Sequence, residues 1–225
     1  MEIDFRLSIV VAIVFIIVIT IVVLIRIKFT RDEPFPVFLG TTRQPLPPFE
    51  TGDFVFVSYR SIRGKLVKVF TGSKWTHMGM IFRRDSGDCV VIEAAYYDDS
   101  LHGVLETPLP KWLNWNRRRV LGWLPKRGPR ISDREMDRVL GGVRRAEMDT
   151  LILSWLKAVV NRKYGPEPGK SKFYCSELCA YLCQELGIIE KVLMPASYSP
   201  KTFIERRLPL KNGHAFEEPR LFSVT

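Results

Sequence analysis

The sequence predicts an α+β domain behind a single hydrophobic anchor, and three observations predict it. Strand-like segments come first along the chain and helical ones later, the order of an α+β domain rather than of alternating β-α units. Hydrophobic residues make up 46% of the 225 residues and charged residues 26%, enough for one ordinary core and too apolar for a disordered chain. Residues 7–25 stand apart from both, because they carry no charge.

That stretch, LSIVVAIVFIIVITIVVLI, spans about 28 Å as a helix at roughly 1.5 Å per residue, close to the hydrocarbon core of a bilayer. A cleaved signal peptide is the alternative. Its apolar region runs about 7–15 residues and ends in small residues, whereas this one continues into RIKFTR. We therefore expect an uncleaved transmembrane anchor after a short non-cytosolic N-terminus, residues 1–6. Arg26, Lys28 and Arg31 follow the span, against Glu2, Asp4 and Arg6 before it. That bias puts the following domain in the cytosol, as a single-pass membrane protein. Residues 26–51 read as a basic and then proline-rich tether, with five prolines between 32 and 51.

The domain is expected over 52–208, with a C-terminal tail at 209–225. GDFVFVS (52–58) alternates as a strand does. Ser61 caps a short helix, IRGKLVKVF, that Gly72 ends. THMGMIF (76–82) and CVVIEAA (89–95) are strands joined by the turn RRDSGD. GVLETPL (103–109) and RRVLGWL (118–124) are two further strand candidates. Ser132 with Glu135 matches a capping box and opens a helix over 133–147. Helices follow over 150–161 and 174–186, the last closed by Gly187.

Net charge is +10. Eleven lysines and arginines stand against three acids between residues 111 and 145, in what reads as a basic helical insert at about 111–147. A solvated helix face accounts for any one of them. As a cluster on a tethered domain they suit anionic lipid headgroups, each contributing on the order of 1 kcal/mol near the surface. No nucleic-acid recognition motif is present, and no nucleic-acid partner is expected.

Three of the four cysteines, Cys175, Cys179 and Cys183, follow at intervals of four in FYCSELCAYLCQELG. They cannot bridge one another without distortion, which points to free thiols in a reducing compartment. A structural zinc prefers C-x-x-C pairs or nearby histidines, and neither is present. A redox role would need a second cysteine pair, and only Cys89 is left. Position on the helix separates the three. Cys179 and Cys183 sit among Leu178, Ala180, Leu182 and Leu186 and read as small core residues. Cys175 opens the helix, where unpaired N–H groups and the dipole favour a thiolate.

A reactive cysteine needs a base. His102 and His214 read as surface residues. His77 opens a strand on which Gly79 and Ile81 share its face; a half-buried structural histidine and a general base fit the pattern equally. Glu93 interrupts the apolar run VVIEAA on the adjacent strand. A carboxylate there needs a partner, either an arginine or the His77 imidazole. In the second case Glu93 would orient His77 as the third member of a triad does.

GDFVFVS, KLVKVFTGSKWTHMGMIF, VVIEA and FYCSELCAYLCQELG together resemble the permuted papain-like enzymes of the NlpC superfamily. They resemble its YiiX group in particular, with lecithin retinol acyltransferase more distantly related. The resemblance covers residues 52–100 and 160–205, including SPKTF after the helix. It implies a small, partly barrel-like antiparallel sheet packed on the cysteine helix, with Cys175 as nucleophile, His77 as base and Glu93 as orienting group. Thr76 stands where serine is expected but keeps the hydroxyl. Tyr164, in KYG, matches a tyrosine ahead of the cysteine block in relatives. Thr76, Ser176 and Tyr164 are candidates for the substrate or oxyanion site.

The implied chemistry is acyl transfer through a thioester without cofactor or metal. The substrate is an ester or amide, in a lipid, a lipid-modified protein or a peptide. A cysteine peptidase, and a membrane-anchored interaction module with a silent site, are the alternatives. The second would be marked by loss of Cys175, His77 or Glu93, and all three are present.

Overall fold

The computed structural model describes residues 46–148, 172–222 and 224. The expected span at 7–25, most of the tether, the helix expected over 150–161 and Tyr164 lie outside these. No helix among the described residues is long and apolar enough to cross a membrane.

In chain order the elements are β1 (Phe54–Ser58), α1 (Ile62–Thr71), β2 (His77–Arg83), β3 (Cys89–Asp98), β4 (Leu101–Pro108) and α2 (Leu109–Asn116). They continue with β5 (Val120–Leu124), β6 (Lys126–Arg127), α3 (Asp133–Gly141), β7 (Glu147–Met148) and β8 (Lys172–Phe173). Helix α4 (Cys175–Glu185), a 3₁₀ turn (Pro195–Ser197), α5 (Pro200–Ile204), β9 (Ala215–Phe216) and β10 (Arg220–Phe222) complete them. The architecture is α+β, built on an antiparallel sheet of six strands in the order β10-β5-β1-β2-β3-β4.

The sheet stays open, and no closed barrel forms. Instead of turning back toward β10, edge strand β4 engages the segment before β7, where the Val104 N–H donates to the Ala146 carbonyl at 3.0 Å. This corrects the partly barrel-like expectation.

Period-two alternation gives the sheet two apolar faces. Phe54, Phe56, Met78, Met80, Phe82, Ile92 and Ala94 face the larger core, shared with Met136 and Leu140 of α3 and Leu178, Cys179, Leu182 and Cys183 of α4. Val55, Val57, Ile81, Val91 and Leu121 face a smaller core closed by Leu109, Trp112 and Leu113 of α2. Gly122 in β5 makes room for Trp75, whose ring would lie 2.6 Å from a Cβ at that position.

Ser61 caps α1 by accepting from the Gly64 N–H, and Gly72 ends it in the left-handed region at φ 59°. The capping box of Ser132 and Glu135 opens α3, which ends at Gly141 rather than running to 147. Helix α2 has no element of its own in the sequence reading, which takes 111–116 only as the start of the broad helical insert. Pro110 fits its first turn, where no N–H is needed.

The segment at 111–147 is not a separate helical element. It supplies all of α3 and most of α2, but also β5, which sits between β1 and β10. Its basic residues also divide. Arg127, Arg130 and Arg144 pair with acids, and Lys126 is buried. The end of the tether is docked as well: Phe49 is buried, with edge contacts to the rings of Trp123 and Phe222.

Candidate active site

His77 is the first residue of β2 and pairs with Val57 of β1. A chain of local hydrogen bonds sets the approach to it. The Ser73 N–H donates to Thr71 Oγ1 and the Trp75 N–H to Ser73 Oγ, each at 3.1 Å. Thr76 then ties the two strand ends together, accepting from the Tyr59 N–H at 2.8 Å and donating to the Val57 carbonyl at 3.0 Å. Its hydroxyl is committed to holding His77 in place.

Glu93, in the middle of β3, is fully buried. Register puts it on the same face as His77, and Nε2 of the imidazole lies 2.7 Å from Glu93 Oε2. The Trp112 indole N–H donates to the same oxygen at 2.9 Å. The Tyr97 hydroxyl and Thr107 Oγ1 donate to Oε1 at 2.8 and 3.1 Å. Four partners on two oxygens remove the cost of burying a carboxylate and fix its plane. Gly79 lies between the two residues on this face. A Cβ there would come within 2.5 Å of Val91 Cγ1 and 3.3 Å of Glu93 Cβ.

Cys175 is the first residue of α4 and half-buried. Helix α4 packs on the opposite face of the sheet, yet its first residue lies within hydrogen-bonding reach of His77. With Nε2 held by Glu93, Nδ1 is the ring nitrogen left for the thiol. The Glu177 carboxylate accepts from the Tyr174 N–H at 3.4 Å and helps fix the helix start.

Burial opposes protonation of His77, but Tyr59, Cys175 and Glu93 favour the charged ring, and its pKa lies well above the usual histidine value. Tyr59 stays neutral at pH 7, since burial pushes its phenol up. The Glu93 carboxylate therefore favours the charged ring. His77, Glu93 and Cys175 come together as one constellation.

The other expected residues divide. Ser176 is fully buried and donates to the Tyr198 carbonyl at 2.9 Å, so it anchors α4 and faces no cleft. Cys179 and Cys183 are fully buried, and burial raises both thiols. His102 is exposed. His214 corrects its surface reading: it is buried, with Nδ1 3.4 Å from Lys126 Nζ. Trp112, Tyr97 and Thr107 are the residues that sequence reasoning missed. The signal for Tyr97 was period two itself, since continuing β3 past residue 95 returns it to the Glu93 face. Thr107 and Trp112 needed the β4 pairing and α2.

A cleft of about 1000 Å³ opens beside His77, with Tyr59, Tyr97, Trp115, Arg118 and Arg119 on its walls. Among the described residues, no group of three or more His, Cys, Asp or Glu side chains is placed to hold a metal ion.

No protein-family model and no curated protein matches the chain. Among solved structures, the chain is similar to that of the metalloprotein yiiX from Escherichia coli O157:H7. The two share 21% identity and a TM-score of 0.43, over 78% of this chain and 96% of that one.

Proposed function

We propose that the protein is a membrane-anchored thiol hydrolase or acyltransferase of the permuted papain-like type, with Cys175, His77 and Glu93 as a catalytic triad. The observation that carries the reading is the His77–Glu93 contact at 2.7 Å beside a cysteine at a helix start. Glu93 holds the ring through Nε2 and stabilises the imidazolium, and Nδ1 takes the Cys175 proton. The thiolate attacks the substrate carbonyl. The oxyanion is met by the Cys175 backbone N–H, a first-turn donor with no intrahelical acceptor, and losing such a donor typically costs about 3–4 kcal/mol. The alcohol or amine leaves with the proton from His77. Water or a second acceptor then cleaves the thioester and regenerates the thiol.

An ester and an amide both fit this sequence of steps, so lipid and peptide acyl donors fall under one mechanism. The anchor at 7–25 and the cytosolic placement belong to the proposal, because they put the site beside a membrane. The test uses the full chain in neutral detergent micelles with a limiting amount of iodoacetamide. Cys175 is modified fast at neutral pH and the other three cysteines slowly, and His77→Ala slows Cys175 sharply. Equal, slow labelling of all four overturns the triad. Intact mass after incubation with acyl-lipid and acyl-peptide pools then identifies the acyl group carried on Cys175.

A further inference from the structure

The cleft beside His77 has a charge pattern that the triad does not use. Arg60, Arg118 and Arg119 all line it. None of the three forms an ion pair with a described residue, whereas Arg84, Arg127, Arg130 and Arg144 elsewhere on the domain all do. The one acid among the lining residues, Asp98, already accepts from the Ser100 N–H at 2.8 Å and the Ser100 hydroxyl at 2.6 Å.

Arg119 is also positioned. Its guanidinium lies 4.2 Å from the centre of the Tyr59 ring, and Nη1 donates to Asn116 Oδ1 at 3.1 Å. Tyr59 in turn lies 5.9 Å, ring to ring, from His77. An oriented cation thus sits one aromatic ring away from the catalytic base. Burial and the neighbouring Arg60 both disfavour the charged form of Lys68, as expected where cations crowd without a counter-ion.

We propose that this cleft is an anion subsite in which Arg119, with Arg118 and Arg60, receives a phosphate group carried by the acyl substrate. The assignment of that phosphate to the substrate rests on the catalytic reading above. A planar guanidinium binds phosphate oxygens in pairs, and three arginines lining one cleft suit a group with more than one negative charge better than a single carboxylate. Tyr59, Tyr97 and Trp115 supply flat apolar faces for the rest of the molecule. A cleft lined by three arginines against one acid also raises the local concentration of anionic substrate, by about tenfold or more at low salt.

The test has two arms, both on the full chain in neutral detergent micelles. In the first, inorganic phosphate and then a short-chain acylglycerol phosphate are titrated against the Cys175→Ala protein while the Arg119 side-chain N–H is followed by NMR. Saturable shifts are expected, with a lower midpoint for the acylglycerol phosphate. Both are weakened several-fold by Arg118→Gln and by added salt in the unsubstituted cleft. The absence of a saturable shift, or one indifferent to Arg118→Gln and to salt, overturns the subsite. Equal midpoints for the two probes mark a site for free phosphate and overturn its assignment to substrate.

In the second arm, intact mass follows acylation of Cys175 by the acylglycerol phosphate and by the same acylglycerol without phosphate. Acylation about tenfold faster from the phosphate-bearing donor supports the proposal. Equal rates overturn it while leaving the triad standing. Saturable phosphate binding with no acylation from any donor keeps an anion site and sinks the catalytic reading.

Discussion

Trp112 and His77 share one oxygen of Glu93: indole Nε1 and imidazole Nε2 lie 2.9 and 2.7 Å from Oε2. The orientation of the imidazole is thereby tied to α2, the helix that closes the smaller core over the sheet. Removing the indole donor frees the carboxylate to rotate and leaves an acceptor position unfilled. Trp112→Phe keeps an aromatic ring in the smaller core, loses the N–H and leaves part of the indole's volume unfilled. It is expected to lower stability by about 1–3 kcal/mol and to slow iodoacetamide at Cys175. Denaturant unfolding and labelling rates check the two effects, and unchanged labelling in a destabilised protein would make Trp112 purely structural.

Glu93→Gln keeps the shape of the side chain and removes its charge. The His77 ring then loses a group that favours its protonated form, and its pKa moves down toward the usual value near 6.5. The histidine ring resonances, followed by NMR across pH, report this directly.

His77 and His214 predict opposite dependences of stability on pH. The folded pKa of His77 is raised, so its contribution is complete below about pH 6.5 and is lost as pH rises through the folded value. The folded pKa of His214 is lowered, by burial and then by Lys126. Its contribution is present above about pH 6.5 and is lost as pH falls through the folded value. His214→Asn should flatten the acid side of the stability profile and His77→Asn the neutral-to-alkaline side, both read from denaturant midpoints across pH.

Gly79→Ala places a Cβ 2.5 Å from Val91 Cγ1, inside a fully buried face. The β2–β3 pair must shift to admit it. The expected cost is about 1–3 kcal/mol, together with reduced labelling at Cys175 because His77 and Glu93 lie on the displaced strands. An unchanged unfolding midpoint would show that the two strands have slack there.

Cys179 and Cys183 are sealed in the core and have raised thiol pKa values, so they should resist labelling until the domain opens. Their modification in increasing denaturant should follow the global unfolding curve. Cys89, half-buried on the edge of the smaller core, should react before them.

The strands carrying His77 and Glu93 were legible because alternation is a local property, and a lone carboxylate in VVIEAA stands out against it. The separation of Cys175 from Cys179 and Cys183 was legible for a similar reason, since distance from a helix start is counted along the chain. Helix α2 was not legible, because WLNW lacks a helical period long enough to read and only Pro110 marks its first turn. The burial of His214 was hidden for a different reason. Its partner, Lys126, lies 88 residues away, and no local pattern links the two.

By itself the sequence determined the α+β class, the order His77, Glu93, Cys175 along the chain, and the element on which each residue rides. Periodicity and capping act over a few residues, so they can be read without the fold. The tertiary structure decided what those residues touch. It placed Trp112, Tyr97 and Thr107 around Glu93, kept the sheet open, and brought Arg60, Arg118 and Arg119 into the lining of the cleft beside His77. Those contacts depend on strand order and on where α2 docks, and both are set by the burial of two apolar faces rather than by any segment alone.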